Sequence, residues 1–232
     1  MNQSGTWLRR GGLLLLCTAA LAVVGCHSAP RNSLATHNSA KWESAIVQYE
    51  AQDAANRPAP GGIVFTGSSY IKRWTNLVED FPGLPVLNRG FGGCQLADVW
   101  HYADRIVIPY APREVVIYAG GNDINAKKPP HLVFGDFVAL MERLRAALPG
   151  VKLVFISCPP SPKRRSQTAD IRELNALIAE YSAKHEIAFV NTFDLMLGPD
   201  GWPRLDIYVE DQLHMNAKGY AIWRDAVAPH LK

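Results

Sequence analysis

Cysteine is scarce in this chain, with four among 232 residues, and two of them, Cys17 and Cys26, fall in the first 26 positions. The remaining pair, Cys94 and Cys158, cannot form the disulfide framework that staples small secreted domains. Charge of one sign is also missing. Lys and Arg number 24 against 21 Asp and Glu, a net charge of +3, and no basic patch marks a nucleic-acid surface. Metal-ligand spacing is absent among the seven histidines. His101, His131 and His185 fall on predicted helices without it, so no metal and no organic cofactor is implied. A tract of roughly 20 apolar residues, which a membrane-spanning helix needs, is lacking at the N-terminus, where the stretch from Leu13 to Val24 is shorter.

That short stretch follows Arg9 and Arg10 and ends in Val23-Val24-Gly25-Cys26, the layout of a cleavable export signal over residues 1–26. Its last four residues resemble the bacterial lipobox. The resemblance implies that the Cys26 thiol is lipidated, with palmitate among the acyl groups, and that Cys26 becomes the first residue of the mature protein. The expected location is then the cell envelope, at the outer membrane facing the periplasm or the surface, with membrane contact through lipidated Cys26 only. A soluble exported protein cut near Ala29 is the alternative. Residues 27–38, rich in Ser, Asn, Pro and His without apolar periodicity, predict a flexible tether.

Hydrophobic residues make up 48% of the chain and charged ones 19%, the balance of an ordinary globular domain, here expected over residues 39–232. Trp42, Ile46, Val47 and Tyr49 approximate helical spacing before Pro58-Ala59-Pro60-Gly61-Gly62 breaks the chain. Five β-rich runs then alternate with amphipathic segments: Ile63–Thr66, Pro85–Asn88, Glu114–Ala119, Lys152–Ser157 and Ile187–Val190. Leu132 to Leu148, Ile171 to Tyr181 and Ala217 to Val227 carry helical periodicity between or after them. Continuous apolar strands joined by helices require a parallel sheet covered on both faces, hence a three-layer α/β/α fold. Ligands in such sheets bind beyond the carboxyl ends of the strands.

Four clusters stand at such places or near the C-terminus: Gly67-Ser68-Ser69, Asn88-Arg89-Gly90-Phe91-Gly92-Gly93, Gly120-Gly121-Asn122-Asp123, and Asp211-Gln212-Leu213-His214. A serine at a helix start, just beyond a buried strand, exposes its hydroxyl beside a free N–H; a plain N-cap serine fits the tripeptide equally. Of the histidines, His214 has a carboxylate at short fixed spacing on a loop before a helix, as a general base requires.

Taken in order, these clusters resemble the SGNH hydrolases, also called the GDSL family, over nearly the whole chain from Ile63. The resemblance implies a flavodoxin-like sheet of five parallel strands and cleavage of a small-molecule ester. It implies Ser69 as the nucleophile, His214 as base with Asp211 orienting it, and an oxyanion hole made by the N–H groups of Ser69 and Gly93 and the side-chain amide of Asn122. Ser68 stands where the family commonly has aspartate, which leaves Ser68 as an alternative nucleophile. Turn-forming roles are open for Gly93 and Asn122, while Asp123 is expected to brace its turn and Asp206 and Glu210 to be solvated. Trp74, Trp100, Trp202 and Trp223 are expected as packing residues. Cys94 and Cys158 are expected to be buried and unbridged, since the family's sheet order separates the strands they follow. The loop Pro159-Pro160-Ser161-Pro162 with Lys163-Arg164-Arg165 is stiff, then basic, and would either shape the substrate entrance or stand solvated. Acyl transfer to an envelope sugar and a non-catalytic surface lipoprotein are the rival functions.

Overall fold

The computed structural model describes Met1 and residues 29–231; the expected export signal and the Cys26 anchor lie outside the described residues. In chain order the elements are α1 (Glu43–Ala55), β1 (Ile63–Gly67), α2 (Ser69–Lys72), α3 (Leu77–Asp80), β2 (Val86–Gly90), α4 (Leu96–Ile106), β3 (Glu114–Tyr118), α5 (Gly121–Asn125), α6 (Pro130–Ala147), β4 (Lys152–Ile156), α7 (Thr168–Lys184), β5 (Ala188–Val190) and α8 (Ala217–Val227). The five strands form one sheet in the order β2-β1-β3-β4-β5, and every pairing is parallel.

Strands β1 and β3 are buried along their whole length, as their unbroken apolar runs require when helices cover both faces. Phe65, Phe137 and Phe155 lie fully inside, and Trp74 and Trp223 fill the space between α2, α8 and the sheet. Trp202 departs from its expected packing role. It is 41% exposed and carries the Arg165 guanidinium 3.5 Å above its ring, because it sits on an irregular loop with no element behind it. Helix α8 is started by Asn216, whose side chain accepts from the N–H groups of Lys218 and Gly219, a cap worth about 1 kcal/mol.

The described part of the expected tether is not free. Ser33 is 8% exposed; its N–H and hydroxyl donate to the two carboxylate oxygens of Asp136 at 2.6 and 2.7 Å. His37 Nε2 meets Asp98 at 2.7 Å. The segment also crosses α6 at Gly135, where a Cβ would stand 1.8 Å from the Arg31 carbonyl oxygen. The correction has a physical reason: a buried carboxylate must be paired or hydrogen-bonded, and Ser and His lacking apolar periodicity supply those partners as readily as they face water.

Asp136 shares this buried knot with Lys128, whose ammonium reaches Ser33, Asp123 and Asp136 at 2.9, 3.2 and 3.1 Å. Burial pushes the Asp123 carboxyl up to about 7, against the pull of Lys128 and with the repulsion of Asp136 added. A raised carboxyl favours the folded state when protonated, so its contribution is full at low pH and is lost as pH rises through about 7. Asp123→Asn should therefore gain in Tm relative to the parent as pH is raised from about 5 to about 8; thermal melts showing a constant difference across that range would contradict this.

Candidate active site

The sheet reverses its order between β1 and β3. From β1 the chain moves outward to β2, then returns past β1 to β3, so a crevice opens beyond the carboxyl ends of these two neighbours. Gly67 and Tyr118 are paired in register there. Gly67 has φ +127°, and a Cβ on it would lie 1.8 Å from the Tyr118 carbonyl oxygen; only glycine permits strands this close at the bend. The next residue, Ser68, donates its N–H to that same oxygen at 2.9 Å, and Ser69 opens α2.

His214 arrives from the other end of the chain on a closed turn. Val209 donates its N–H to the His214 carbonyl at 2.8 Å, and Gln212 to that of Val209 at 2.9 Å, with Gln212 left-handed at φ +55°. The Tyr70 hydroxyl, from α2, donates to the Leu213 carbonyl, which ties the turn to the helix carrying Ser69. His214 Nε2 stands 2.9 Å from Ser69 Oγ and Nδ1 stands 2.6 Å from Asp211 Oδ2. The other carboxylate oxygen, Oδ1, accepts from the N–H groups of Leu213 and His214 at 2.9 and 2.8 Å. Desolvation raises the Asp211 carboxyl, but the bonds from the His214 side chain and from these two amides outweigh it and hold the group well below the usual carboxylate range. Asp211 is therefore ionised and able to fix the proton on Nδ1.

The structure separates the two serines. Ser69 faces His214, whereas Ser68 is 2% exposed and its Oγ accepts from Asn122 Nδ2 at 2.6 Å. The same amide donates to the Cys94 carbonyl at 3.1 Å. Its oxygen, Oδ1, accepts from Arg164 Nη2 at 2.7 Å, and Arg164 Nη1 donates to the Gly121 carbonyl at 2.9 Å. A guanidinium can only donate, so it settles which end of the amide faces it and turns Nδ2 toward the serines. Both Nδ2 hydrogens have acceptors, so any further acceptor would share or displace the Ser68 bond.

The N–H groups of Ser69 and Gly93 have no acceptor among the described residues. Gly93 is left-handed, with φ +83°, and its missing Cβ would stand 3.0 Å from Trp42 Cη2. Ser69, Gly92, Gly93, Asn122, Arg164 and His214 share one open cavity of about 740 Å³. Asp123, beside Asn122, braces a neighbouring segment: its carboxylate accepts the Leu96 N–H at 3.2 Å. Cys94 and Cys158 are buried and free. No group of three His, Cys, Asp or Glu among the described residues is arranged to hold a metal ion, and no described helix is long and apolar enough to cross a membrane.

The family model of the GDSL-like lipases and acylhydrolases matches residues 55–222. The chain belongs to this family. Among solved structures it is similar to a GDSL-like lipase from Bacteroides thetaiotaomicron, at 25% identity and TM-score 0.70, covering 80% of this chain and 96% of that one. A lipase/acylhydrolase from Enterococcus faecalis aligns at 21% identity and TM-score 0.61, over 74% and 97% of the two chains. A variant of an acetyl-xylooligosaccharide esterase from Geobacillus stearmophilus aligns at 13% and TM-score 0.60, over 74% and 94%. The last two likenesses concern the fold alone. The chain matches none of the curated proteins by sequence.

Sequence reasoning passed over three residues of this GDSL-family site: Trp42 behind Gly93, Tyr70 under the histidine turn, and Ser68 as the acceptor for Asn122. Each acts through a partner at least 51 positions away, and no local pattern announces such contacts. Gly93→Ala tests the Trp42 contact. Gly61 has nearly the same φ, +82°, but nothing within 4 Å of its missing Cβ, so Gly61→Ala pays backbone strain alone. Both should lower stability, by roughly 1 kcal/mol for the strain, with Gly93→Ala losing clearly more in denaturant melts; equal losses would show that Trp42 does not confine the loop.

Proposed function

We propose that this protein is a serine esterase or acylhydrolase that cleaves carboxylic esters through an acyl-Ser69 intermediate. The observation that carries the reading is the unbroken line of hydrogen bonds from Asp211 through His214 to Ser69 Oγ, at 2.6 and 2.9 Å. His214 takes the hydroxyl proton as Ser69 attacks the ester carbonyl, and Asp211 stabilises the imidazolium that results. The developing oxyanion is received by the free N–H groups of Ser69 and Gly93 and by Asn122 Nδ2, which shifts from Ser68 toward the new charge. His214 then returns the proton to the departing alcohol. A water molecule, deprotonated by the same ring, attacks the acyl-enzyme and regenerates Ser69.

The acyl group is short. Leu213 is the one aliphatic side chain among the cavity's lining residues, too little apolar surface to bury a long chain.

The purified full chain should hydrolyse para-nitrophenyl acetate. Ser69→Ala and His214→Ala should each lower kcat/KM by about a thousandfold or more, and Asn122→Ala by about a hundredfold. Ser68→Ala should keep at least about a tenth of the activity, since it removes only a competing acceptor for Asn122. A histidine base also requires kcat/KM to fall on acidification. Full activity in Ser69→Ala, or a flat profile, would overturn the assignment.

The proposal extends to an export signal over residues 1–26, lipidation at Cys26 and a location in the cell envelope. Their support is the charge pattern of residues 1–26 and the Val23-Val24-Gly25-Cys26 ending. Cells making the protein should incorporate labelled palmitate into it, and Cys26→Ser should abolish the label. Label retained in that variant would refute anchoring at Cys26.

A further inference from the structure

The cavity in front of Ser69 is electrically one-sided. Its lining includes Lys72, Arg73 and Arg164 and not one carboxylate, in a chain whose acids and bases nearly balance. Several arginines elsewhere are neutralised at close range: Arg89 by Asp53, Arg105 by Glu43 and Glu50, Arg143 by Asp104, Arg204 by Asp206. In the cavity no cation is paired this closely. Arg164 spends its donors on two neutral oxygens, Gly121 O and Asn122 Oδ1. The Lys72 ammonium has neither a hydrogen bond nor an ion pair among the described residues. Arg73 has only a loose approach of 3.8 Å to Asp211, whose carboxylate is already engaged by His214 and two backbone amides.

Three like charges facing one space repel one another and are held there only at a cost in stability. An arriving anion removes that cost. We infer that the substrate is an ester bearing a negative charge, a carboxylate or a phosphate, on its alcohol portion, held by Lys72 and Arg73. The inference rests on the hydrolase reading above and adds the substrate's charge and its placement. The alcohol side follows from the proton path: the departing oxygen must receive its proton from His214 Nε2, so the alcohol lies toward the histidine turn, and Arg73 is the cation beside that turn. A second cavity of about 410 Å³ continues past Arg73 and shares Thr75 with the first, which gives a larger alcohol room on the same side. Arg164, fixed behind Asn122, adds its positive field to the oxyanion side.

The test compares esters of nearly equal intrinsic reactivity. At low ionic strength the full-length protein should hydrolyse 3-(carboxymethyl)phenyl acetate about tenfold faster in kcat/KM than 3-methylphenyl acetate, with the gap narrowing severalfold at high salt. Lys72→Gln and Arg73→Gln should each reduce the preference by about threefold, while Lys184→Gln, on the far surface of α7, should leave the ratio between the two esters as it is. The monosuccinate ester of 3-methylphenol, which carries its charge on the acyl side, should gain no such preference. Equal rates for the two acetates, or a preference for the succinate ester, overturn the inference and leave the hydrolase reading intact. Hydrolysis of none of them overturns both.

Discussion

The approach of β1 to β3 at Gly67 is the constraint on which the site depends. Because no Cβ intervenes, the Tyr118 carbonyl sits against the backbone of Gly67 and accepts the Ser68 N–H. The chain leaving β1 is thereby bent into α2 directly beside the chain leaving β3. Ser69 and Asn122 come from these two exits, and the bond between Asn122 and Ser68 closes the gap between them. Neither element needs to be long. Helix α2 has four residues and α5 has five, so what orients them is the sheet beneath, which is rigid because both faces are covered.

The second strand exit is braced from outside the family domain. The family match begins at residue 55, yet residues 37–53 converge on the loop that carries Gly93. His37 binds Asp98, Trp42 packs its ring edge-on against Phe91, Tyr49 donates to the Gly90 carbonyl, and Asp53 pairs with Arg89. A left-handed glycine loop has little packing of its own and would otherwise sample several conformations. The N-terminal segment thus substitutes external contacts for internal stiffness, and of these four residues only His37 lies in the stretch whose composition reads as a tether.

What was legible in the sequence follows from this division of labour. The sheet could be read because its strands carry apolar runs, shortest in β2, where only Val86 and Leu87 are apolar, and Asp211 with His214 because three residues on a turn fix their relation locally. The order of the four clusters predicted the meeting of Ser69 with His214 across 145 positions. The choice of Ser69 over Ser68 comes from matching Gly67-Ser68-Ser69 to the family's block, not from the tripeptide itself. In the structure it depends on the side of α2 from which the histidine turn arrives, which Tyr70 decides through a bond 143 positions long in sequence. The packing of Ser33 was equally hidden, since its need arises from Asp136, a carboxylate that only the folded helix buries.

Two aspartates near the site show how environment, not residue type, assigns roles. Asp123 adjoins Asn122 and is fully buried; one amide and one ammonium shared with Asp136 do not offset the loss of water, and its carboxyl rises to about 7. Asp211 is far more open, with 43% of its side chain exposed, so the nearby Arg73 is screened and contributes little. Its acidity comes from three short donors on a tight turn, two of them backbone amides whose positions cost no side-chain entropy. A carboxylate held this way stays charged without being buried, and it holds the His214 ring through Nδ1. Asp123 instead meets the Lys128 ammonium, which also reaches Ser33 of the N-terminal segment.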